Sequence, residues 1–591
     1  MIARLLVNDR TRWELLYGAL LIAVVTVLIA GGSFFHRDDF VYAEFFQLNA
    51  LTPEVFLRSW FGHFVPGYIA FLTAFLSVFG LSWPAALAFT AAINVGAFVA
   101  ITRALDAVVG KARFNVIAGL AFSLSIGPLA SRLWWAATLT NMLALALGLA
   151  VLGCATRWVI HRRAVHLVAA LALYVVALAM SEKNLLFSLH IAMWCALVIW
   201  RGRPLAERAR EVLRTWPLWA GLLVISLVEV VVFMTGGYIE ESGTSPSLSV
   251  SLAFIVDSVA GGLIPSVFGL DMEKVVSSLL DPRIVVAAAV FIAFIIWTIV
   301  RVRSNMGVWA FALIGTLANV VAVSRRADVL GITGGRNLRY LLESTALLWL
   351  AVGVVVVVTL RAGMPSVETA TARRNRLASI GVAAVGILVF ALSTASWSQS
   401  LAHAIERNEG REARAWAEAL RESLPQPPPP LIDSPLPQSF GLPPLHPYDM
   451  VAAALPSLGW KDVRTTTSLE GAWVVGPDGS AGPATIANPH VALSESECSD
   501  GSTNIAVPRA QSDGRSFVIL DFSRATGSTV AFLFDDGWTT IERPEQSGTV
   551  AVYIPGPIDG DLQISTQGNA MCVDSVIVGD IVPSPTPREG D

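Results

Sequence analysis

Long stretches without charged residues recur along the first 400 residues of this chain. The first runs from Leu15 to Phe35, and further stretches of similar length follow it. A segment of about 17 to 25 apolar residues is long enough to cross the hydrocarbon core of a bilayer as a helix. We therefore predict a polytopic α-helical membrane protein with about eleven transmembrane helices, over residues 15–35, 84–102, 114–130, 137–156, 164–181, 185–200, 217–236, 284–300, 306–323, 338–360 and 377–396.

The composition agrees with this class. Hydrophobic residues make up 54% of the 591 residues, charged residues make up 15%, and the mean hydropathy is +0.61, whereas about a quarter of the residues of a soluble protein are charged. The net charge of −4 and the absence of a block of like charge give no indication of nucleic-acid binding. The first apolar run is too long for the core of a signal peptide, so we interpret it as a retained helix.

Positive charge sets the expected orientation of these helices, because short loops rich in Lys and Arg stay in the cytoplasm. If every basic segment is cytoplasmic, the chain crosses the membrane once or three times between Phe35 and Arg103. The apolar residues 64–82 are therefore not expected to cross, and residues 53–82 are expected to form helices that lie along the outer face or dip into it. The basic segments are the N-terminus, Arg103–Arg113, Arg157–Arg163, Arg201–Arg214, Arg301–Arg303 and Arg361–Arg376.

This orientation predicts a multi-pass protein of the plasma (inner) membrane whose C-terminal domain is extracytoplasmic. Residues 1–400 form the transmembrane domain, with outer-face loops at 34–83 and 237–283, and residues 401–447 form a polar helix and a proline-rich linker. Short β-type runs separated by turn residues then predict an all-β sandwich over 448–582, and residues 583–591 read as a disordered tail.

The four cysteines divide between these regions. Cys154 and Cys195 lie in apolar runs and are expected to be inert core thiols. Cys498 and Cys572 lie in the C-terminal domain, where an extracytoplasmic location predicts a disulfide between them.

Two adjacent carboxylates, Asp38 and Asp39 in the sequence HRDDF, follow the first apolar run within a few residues. Partial desolvation at a membrane boundary would let either carboxylate act as a general base near neutral pH. The alternative is that they only solvate the end of the helix. The pair could also share a divalent cation with a phosphate, and the sequence indicates no other cofactor.

Basic residues are also expected on the outer face. The segment from Ser324 to Tyr340 contains Arg336 and Arg339, whose guanidinium groups are suited to bind phosphate oxygens. Contact with anionic lipid is the alternative. The tight turn SEKN contains Glu182 and Lys183, which either cap the turn or, through Lys183, add positive charge to the same phosphate pocket.

The other outer-face candidates are aromatic residues and a histidine. His63 lies shortly before a Pro-Gly pair in an aromatic segment and is either structural or catalytic. Trp134 and Trp135 either anchor the protein at the interface or stack on a sugar. The sequence has no GxSxG, HExxH or Walker A motif and no Cys/His cluster with zinc spacing. It also lacks the pair of Gly/Pro-broken helices typical of secondary transporters.

The order of these features resembles the GT-C superfamily of polyprenyl-phosphate-sugar-dependent membrane glycosyltransferases, and most closely its protein O-mannosyltransferase-like branch. The resemblance covers about residues 1–400. Two positions depart from the branch, because Ser131 and Arg132 stand where it usually has a Glu, and the Lys-Glu order is reversed at Glu182 and Lys183. The matching segments are HRDDF, GHFVPGYIAFLTAFLSVFGLSWP, IGPLASRLWW, SEKNLLF and RNLRYLLES.

The C-terminal part, a β domain after a proline-rich linker, resembles the carbohydrate-binding tails of envelope arabinosyl- and mannosyltransferases of high-GC bacteria. Together the resemblances imply an inverting transfer of a sugar from a polyprenyl-phosphate donor to an envelope glycan, lipid or protein acceptor. Asp38 or Asp39 would be the base, and Lys183, Arg336 and Arg339 would bind the phosphate. The expected partners are this donor, this acceptor and membrane lipids. The alternatives are a non-enzymatic flippase for lipid-linked sugars and a glycan-binding assembly protein of envelope synthesis.

Overall fold

The structure is a computed structural model that describes residues 11–36, 39–40, 42, 52–56, 63–235, 246–270, 278–362, 408–434, 450–460 and, with short gaps, 463–584, together with a few isolated positions. Arg37, Asp38, the predicted helix 377–396 and the end of the predicted tail lie outside the described residues. The chain forms two compact units, one of Met1–Gly32 with Leu51–Asn408 and one of Ser33–Ala50 with Glu409–Asp591.

The first unit is a helical bundle, and its helices coincide with the apolar stretches of the sequence. Between the longer helices lie single turns of helix at Pro53–Phe56 and Ala327–Leu330 and the 3₁₀ segments Ile332–Arg336 and Leu338–Leu341. The longer helices are α1 (Arg12–Ala30), α2 (Pro66–Phe79), α3 (Trp83–Val109), α4 (Arg113–Leu124), α5 (Ile126–Leu133), α6 (Trp135–His161), α7 (Ala164–Met180), α8 (Glu182–Ile199), α9 (Leu205–Arg214), α10 (Trp216–Thr235), α11 (Leu248–Val267), α12 (Pro282–Arg301), α13 (Asn305–Ser324) and α14 (Leu342–Ala362).

Many of these helices can span a membrane. Among the described residues, nine are long and apolar enough to cross, and α4 with α5, bent by 46° at their junction, makes a tenth. Helix α14 is the most enclosed, with 78% of its apolar window buried, whereas only 11% of the α10 window is buried. Helix α14 therefore lies inside the bundle, while α10 presents its apolar side chains to lipid.

Contacts among the basic segments place them at one end of this unit, which we call the basic end. They join the ends of α3, α6, α9 and α14 to one another and connect the starts of α1, α4 and α13. The contacts are Arg113 with Glu14 (2.8 Å), Arg361 with the carbonyl of Val109 (2.5 Å), Arg157 with the carbonyl of Arg103 (3.4 Å), Arg162 with Glu211 (2.8 Å) and Asn305 with Thr359 (2.8 Å). The described residues of the segments used to orient the chain thus share one end.

The opposite helix termini meet at what we call the far end. There the indole of Trp83, at the start of α3, donates to the carbonyl of Ala30, at the end of α1, over 3.0 Å. His63, just before α2, contacts Glu182 at the start of α8. His63 precedes α2 and Trp83 follows it, and both residues make their contacts at the far end. Both ends of α2 therefore lie at the far end, and α2 does not cross the bundle.

The same reasoning applies to α11. Helix α10 ends at the far end and α12 begins there, so the chain between them enters and leaves at one end. Asp257 within α11 also pairs with Arg336 at the far end. Without α11, nine of the ten described helices that are long enough to cross traverse the bundle. Helix α7, which is shorter at 17 residues, also connects the basic end to the far end. The ten traversing helices of the described residues are therefore α1, α3, α4 with α5, α6, α7, α8, α10, α12, α13 and α14. This confirms the predicted polytopic helical class, whereas the sidedness of the two ends stays a prediction.

The second unit contains the strands. They form a six-stranded sheet with the order β1-β2-β10-β5-β8, in which β3 also pairs with β10, and a four-stranded sheet with the order β4-β9-β6-β7. All of these pairings are antiparallel. The strands are β1 (Trp473–Val475), β2 (Ala481–Leu493), β3 (Glu497–Ser499), β4 (Ser502–Val507), β5 (Phe517–Arg524), β6 (Thr529–Phe534), β7 (Gly537–Glu542), β8 (Gly548–Tyr553), β9 (Gly560–Gln567) and β10 (Met571–Pro583). A C-terminal strand-rich region is thus confirmed.

The boundaries of this unit differ from the predicted ones. Helices α15 (Glu409–Ser423) and α16 (Val451–Leu458) precede the strands. Trp416 in α15 is buried and its indole donates to the carbonyl of Gly476 over 3.2 Å. Ile432, in the predicted linker, donates its backbone N–H to the carbonyl of Trp473 over 2.8 Å and is buried against the first sheet. Residues 409–434 are therefore part of this unit rather than a free spacer.

Candidate active site

The far end of the bundle brings His63 and Glu182 together. Nδ1 of His63 lies 2.5 Å from Oε1 of Glu182. Glu182 is the first residue of a 3₁₀ turn, Glu182–Asn184, at the start of α8. The amide of Asn184 fixes this turn by donating to the carbonyl of Ala177 over 2.8 Å. The second oxygen, Oε2 of Glu182, is buried and has no hydrogen-bond partner among the described residues. One carboxylate oxygen thus remains available to a ligand.

Lys183 extends the same cluster. Its ammonium donates to Oδ1 of Asn141 over 2.9 Å, and its charge acts on the carboxylate of Glu343 near the start of α14. Asn141 lies in a π-helical stretch of α6, Thr138–Leu143, and such stretches often occur at functional sites. Sequence reasoning missed the roles of Asn141 and Glu343, because no local pattern connects either residue to the SEKN turn.

Arg339 and Trp134 form a second group at the far end. The guanidinium carbon of Arg339 lies 5.3 Å from the ring centroid of Trp134 and 4.6 Å from that of Tyr340, within the range of a cation–π contact. Arg339 also donates to the hydroxyl of Tyr340 over 2.6 Å. Its Nε is buried and has no hydrogen-bond partner in the described part of the chain. Arg339 therefore combines a fixed position with an unused donor.

Arg336 was predicted to bind phosphate, but in the structure its guanidinium group is paired with a carboxylate. Its Nε and Nη2 donate to the two carboxylate oxygens of Asp257, each over 2.7 Å, and both residues are buried. The hydrogen bonds that Arg336 donates to Asp257 raise the pKa of Arg336 above its ordinary value. The pair needs glycines around it, since a Cβ on Gly261 would lie 2.9 Å from Nε of Arg336 and a Cβ on Gly335 would overlap Ser258.

Trp135 lies in an aromatic core. Its ring centroid is 4.9 Å from that of Phe75 and 6.4 Å from that of Phe71, and only 1% of the residue is exposed. A sugar cannot stack on a ring that is enclosed in this way, so the structure leaves Trp134 as the partly exposed tryptophan of the pair.

Arg132 and Ser131, at the positions that depart from the resembled branch, are fully buried. Nε of Arg132 donates to Oδ1 of Asn94 over 3.0 Å, and the amide of Asn94 donates in turn to the carbonyl of Thr90. Nη2 of Arg132 has no hydrogen-bond partner among the residues that the structure describes. The chain thus has a buried cation in α5 where the branch has a carboxylate.

Asp39 belongs to the second unit. Its Oδ2 accepts a hydrogen bond from the backbone N–H of His36 over 3.0 Å, and its own N–H donates to the carbonyl of His36. This reciprocal contact across three residues is half of a capping box and fixes the start of a helical turn. Asp39 is 2% exposed. Asp38 lies outside the described residues, so its predicted role stays a prediction.

The described residues show no arrangement for the predicted divalent cation, whereas they place the two cysteines of the predicted disulfide opposite each other. Among the described residues, no group of three or more His, Cys, Asp and Glu side chains is arranged to hold a metal ion. In the second unit, the register of β3 and β10 places the backbone of Cys498 directly opposite that of Cys572. Cα atoms paired in this way are about 4.5–5.5 Å apart, which is within the range that a disulfide bridges.

The fold and the far-end cluster define a multi-pass helical membrane protein with a polar site at one end of its bundle and a strand-rich second unit. Such a site, with cations, a carboxylate and unsatisfied polar atoms on rigid helix termini, can bind an anionic group and orient a second polar molecule beside it.

Comparisons with known proteins add the following. No protein-family model and no curated protein matches the chain. Among solved structures, the arabinofuranosyltransferase AftD from mycobacteria is similar over 99% of this chain, with 12% identity and a TM-score of 0.38. The arabinosyltransferase EmbB from Mycobacterium smegmatis is similar over 97%, with 12% identity and a TM-score of 0.34. This chain spans 61% and 65% of the length of those two proteins, and both TM-scores are too low to establish a shared fold.

Proposed function

We propose that this protein is an inverting glycosyltransferase that moves a sugar from a polyprenyl-phosphate donor to an envelope glycan, lipid or protein acceptor. The acceptor hydroxyl loses its proton to Asp38 or Asp39 and attacks the anomeric carbon. The new carbon–oxygen bond forms as the bond to the donor phosphate breaks, and the lipid phosphate leaves with the bonding electron pair.

One observation supports this proposal above the others. At the far end, unsatisfied polar atoms belong to side chains that are otherwise held in place. Oε2 of Glu182 and Nε of Arg339 are buried without partners among the described residues, whereas His63 and Tyr340 fix the other atoms of the same groups. Buried polar groups in native proteins are nearly always hydrogen-bonded, so atoms left unsatisfied in this way indicate a place for a ligand.

Lys183 and Arg339 are the cations suited to the leaving phosphate. The ammonium of Lys183 is positioned by a neutral amide, that of Asn141, rather than by an ion pair of its own among the described residues. Cations placed where negative charge develops stabilise the transition state of a group transfer. The guanidinium fork of Arg336 is already occupied by Asp257, so we assign Arg336 a positioning role, in which it holds α11 at the far end.

The proposal is tested in proteoliposomes that contain the purified protein and a radiolabelled polyprenyl-phosphate pentose or hexose. Lys183→Met should abolish transfer to a glycan acceptor. Lys111→Met, at an exposed lysine of the basic end, is the matched control and should retain transfer. Transport of the labelled lipid across the bilayer without any transfer would contradict the proposal and would support a flippase.

A further inference from the structure

Helix α9 connects two membrane-crossing helices at the basic end. Helix α8 ends at Ile199 and α10 begins at Trp216, so short connections hold α9 close to the ends of both. None of its ten residues is buried in the protein. A helix tied to two crossing helices in this way lies at the surface of the bilayer.

One side of α9 is apolar. Leu205, Ala209, Val212, Leu213 and Trp216 follow the spacing i, i+4, i+7, i+8 and i+11, which places them along one stripe. The exposed fractions are 82% for Leu205, 73% for Leu213 and 64% for Trp216. Because Trp216 is also the first residue of a membrane-crossing helix, the stripe faces the lipid.

The other side of α9 carries an excess of positive charge. Residues 201–214 contain five arginines and two glutamates. Glu211 accepts contacts from Arg162 at 2.8 Å, Arg214 at 3.1 Å and Arg203 at 3.6 Å. A single carboxylate cannot neutralise three guanidinium groups, so this cluster keeps a net positive charge.

Arg201, where α9 approaches the end of α8, has an unsatisfied donor. Its Nη1 is buried and has no hydrogen-bond partner within the described ranges. Burial lowers the pKa of Arg201 from its ordinary value, because the charged form has lost water without gaining an anion. A phosphate oxygen would supply the missing acceptor.

We propose that α9 and its flanking arginines bind the anionic headgroups of phospholipids in the leaflet at the basic end. The apolar stripe enters the boundary between headgroups and acyl chains, while the arginines on the opposite side and at its borders reach phosphate groups. An acidic protein partner would match the charge but would leave the stripe uncovered, so the arrangement favours lipid. This inference is independent of the proposed function.

The test compares lipid binding to the full-length protein by native mass spectrometry after delipidation, with phosphatidylglycerol and phosphatidylcholine as probes. The variant Arg203→Gln/Arg210→Gln removes two exposed charges beside the stripe. The control, Arg411→Gln/Arg421→Gln, removes two exposed arginines from α15. Since one basic residue near an anionic surface contributes about 1 kcal/mol, we expect the first variant to bind phosphatidylglycerol at least about fivefold more weakly.

The wild-type protein and the control should prefer phosphatidylglycerol, and soluble glycerol phosphate should not displace it, because only a lipid also covers the stripe. Melting temperatures of both double variants should equal that of the wild type, since the four arginines are exposed. Equal affinity of the two double variants for phosphatidylglycerol, or no preference over phosphatidylcholine, would overturn the proposal and leave this surface to an acidic protein.

Discussion

Nδ1 of His63 and Oε1 of Glu182 are 2.5 Å apart although 119 residues separate them in the chain. The contact joins the segment before α2 to the turn between α7 and α8, and it fixes one oxygen of a carboxylate whose other oxygen has no partner among the described residues. A polar contact of this kind at the end of a membrane bundle can serve stability, substrate binding or both, and mutation separates these roles.

We predict that Glu182→Gln lowers sugar transfer by about tenfold or more, because one charge-assisted hydrogen bond contributes about 1.5–3 kcal/mol. The variant keeps the shape of the side chain, so its melting temperature should change little. Initial rates per folded protein, measured together with thermal unfolding in detergent, check this prediction. A large fall in melting temperature with an unchanged rate would instead make the pair a structural cap of the hairpin.

The pair of Arg336 and Asp257 should behave as a structural element. Removal of one partner leaves a buried charge without compensation, so Asp257→Asn and Arg336→Met should each destabilise the protein by about 3–5 kcal/mol. The double variant Arg336→Met/Asp257→Asn removes both charges and should be less unstable than the sum of the two single effects predicts. Denaturant unfolding of the four proteins measures this coupling. If Arg336→Met lost transfer at unchanged stability, Arg336 would be a phosphate ligand after all.

We predict a disulfide between Cys498 and Cys572. A cross-link that closes a loop of roughly 75 residues stabilises the folded state by about 4 kcal/mol in the chain-entropy account. Peptide mapping of the protein under non-reducing conditions should recover the two cysteines in one linked peptide pair. Cys498→Ser/Cys572→Ser should lower the unfolding temperature of the strand-rich unit. Free thiols at both positions in protein purified from the membrane would contradict the prediction.

The two neighbouring carboxylates Asp38 and Asp39 should differ in how much each contributes to the rate of sugar transfer. Asp39 accepts a hydrogen bond from the backbone of His36, and an Asn at this position can still accept that bond through its side-chain oxygen. Asp38→Asn should therefore lower transfer by about 100-fold or more, as the loss of a general base does, whereas Asp39→Asn should lower it less. Transfer rates at equal expression decide this, and full activity in both variants would refute either residue as the base.

The polytopic helical class could be predicted because long apolar runs and basic loops are local properties of the sequence, whereas the predicted eleventh helix, 377–396, lies outside the described residues. The parity of crossings also led to the expectation that the segment of α2 does not traverse the bundle, in agreement with the contacts of His63 and Trp83 at one end. Helix α11 lies within the predicted outer-face loop 237–283. Its helical structure was not predicted, although this segment of 20 residues has a mean hydropathy of 1.8.

The partners of the predicted site residues could not be predicted. Asp257 lies 79 residues from Arg336, and only the packing of α11 against the far end brings them together. A single carboxylate inside an apolar run was the available signal, because such a charge is costly in a membrane protein unless it is paired. Likewise, the predicted linker contains Ile432, whose pairing with Trp473 depends on a strand 41 positions further along the chain.

The central claim is that the far end, with its polar site, is the extracytoplasmic end of the protein. Two single-cysteine proteins test it, Thr333→Cys at an exposed far-end position and Lys111→Cys at an exposed basic-end position. Both are made in a protein whose four native cysteines, Cys154, Cys195, Cys498 and Cys572, are replaced by Ser. Intact cells are treated with a membrane-impermeant maleimide, and labelling of the two proteins is compared before and after permeabilisation. If the far end is extracytoplasmic, Cys at 333 is labelled in intact cells and Cys at 111 only after permeabilisation. Labelling of position 111, but not of 333, in intact cells would contradict it.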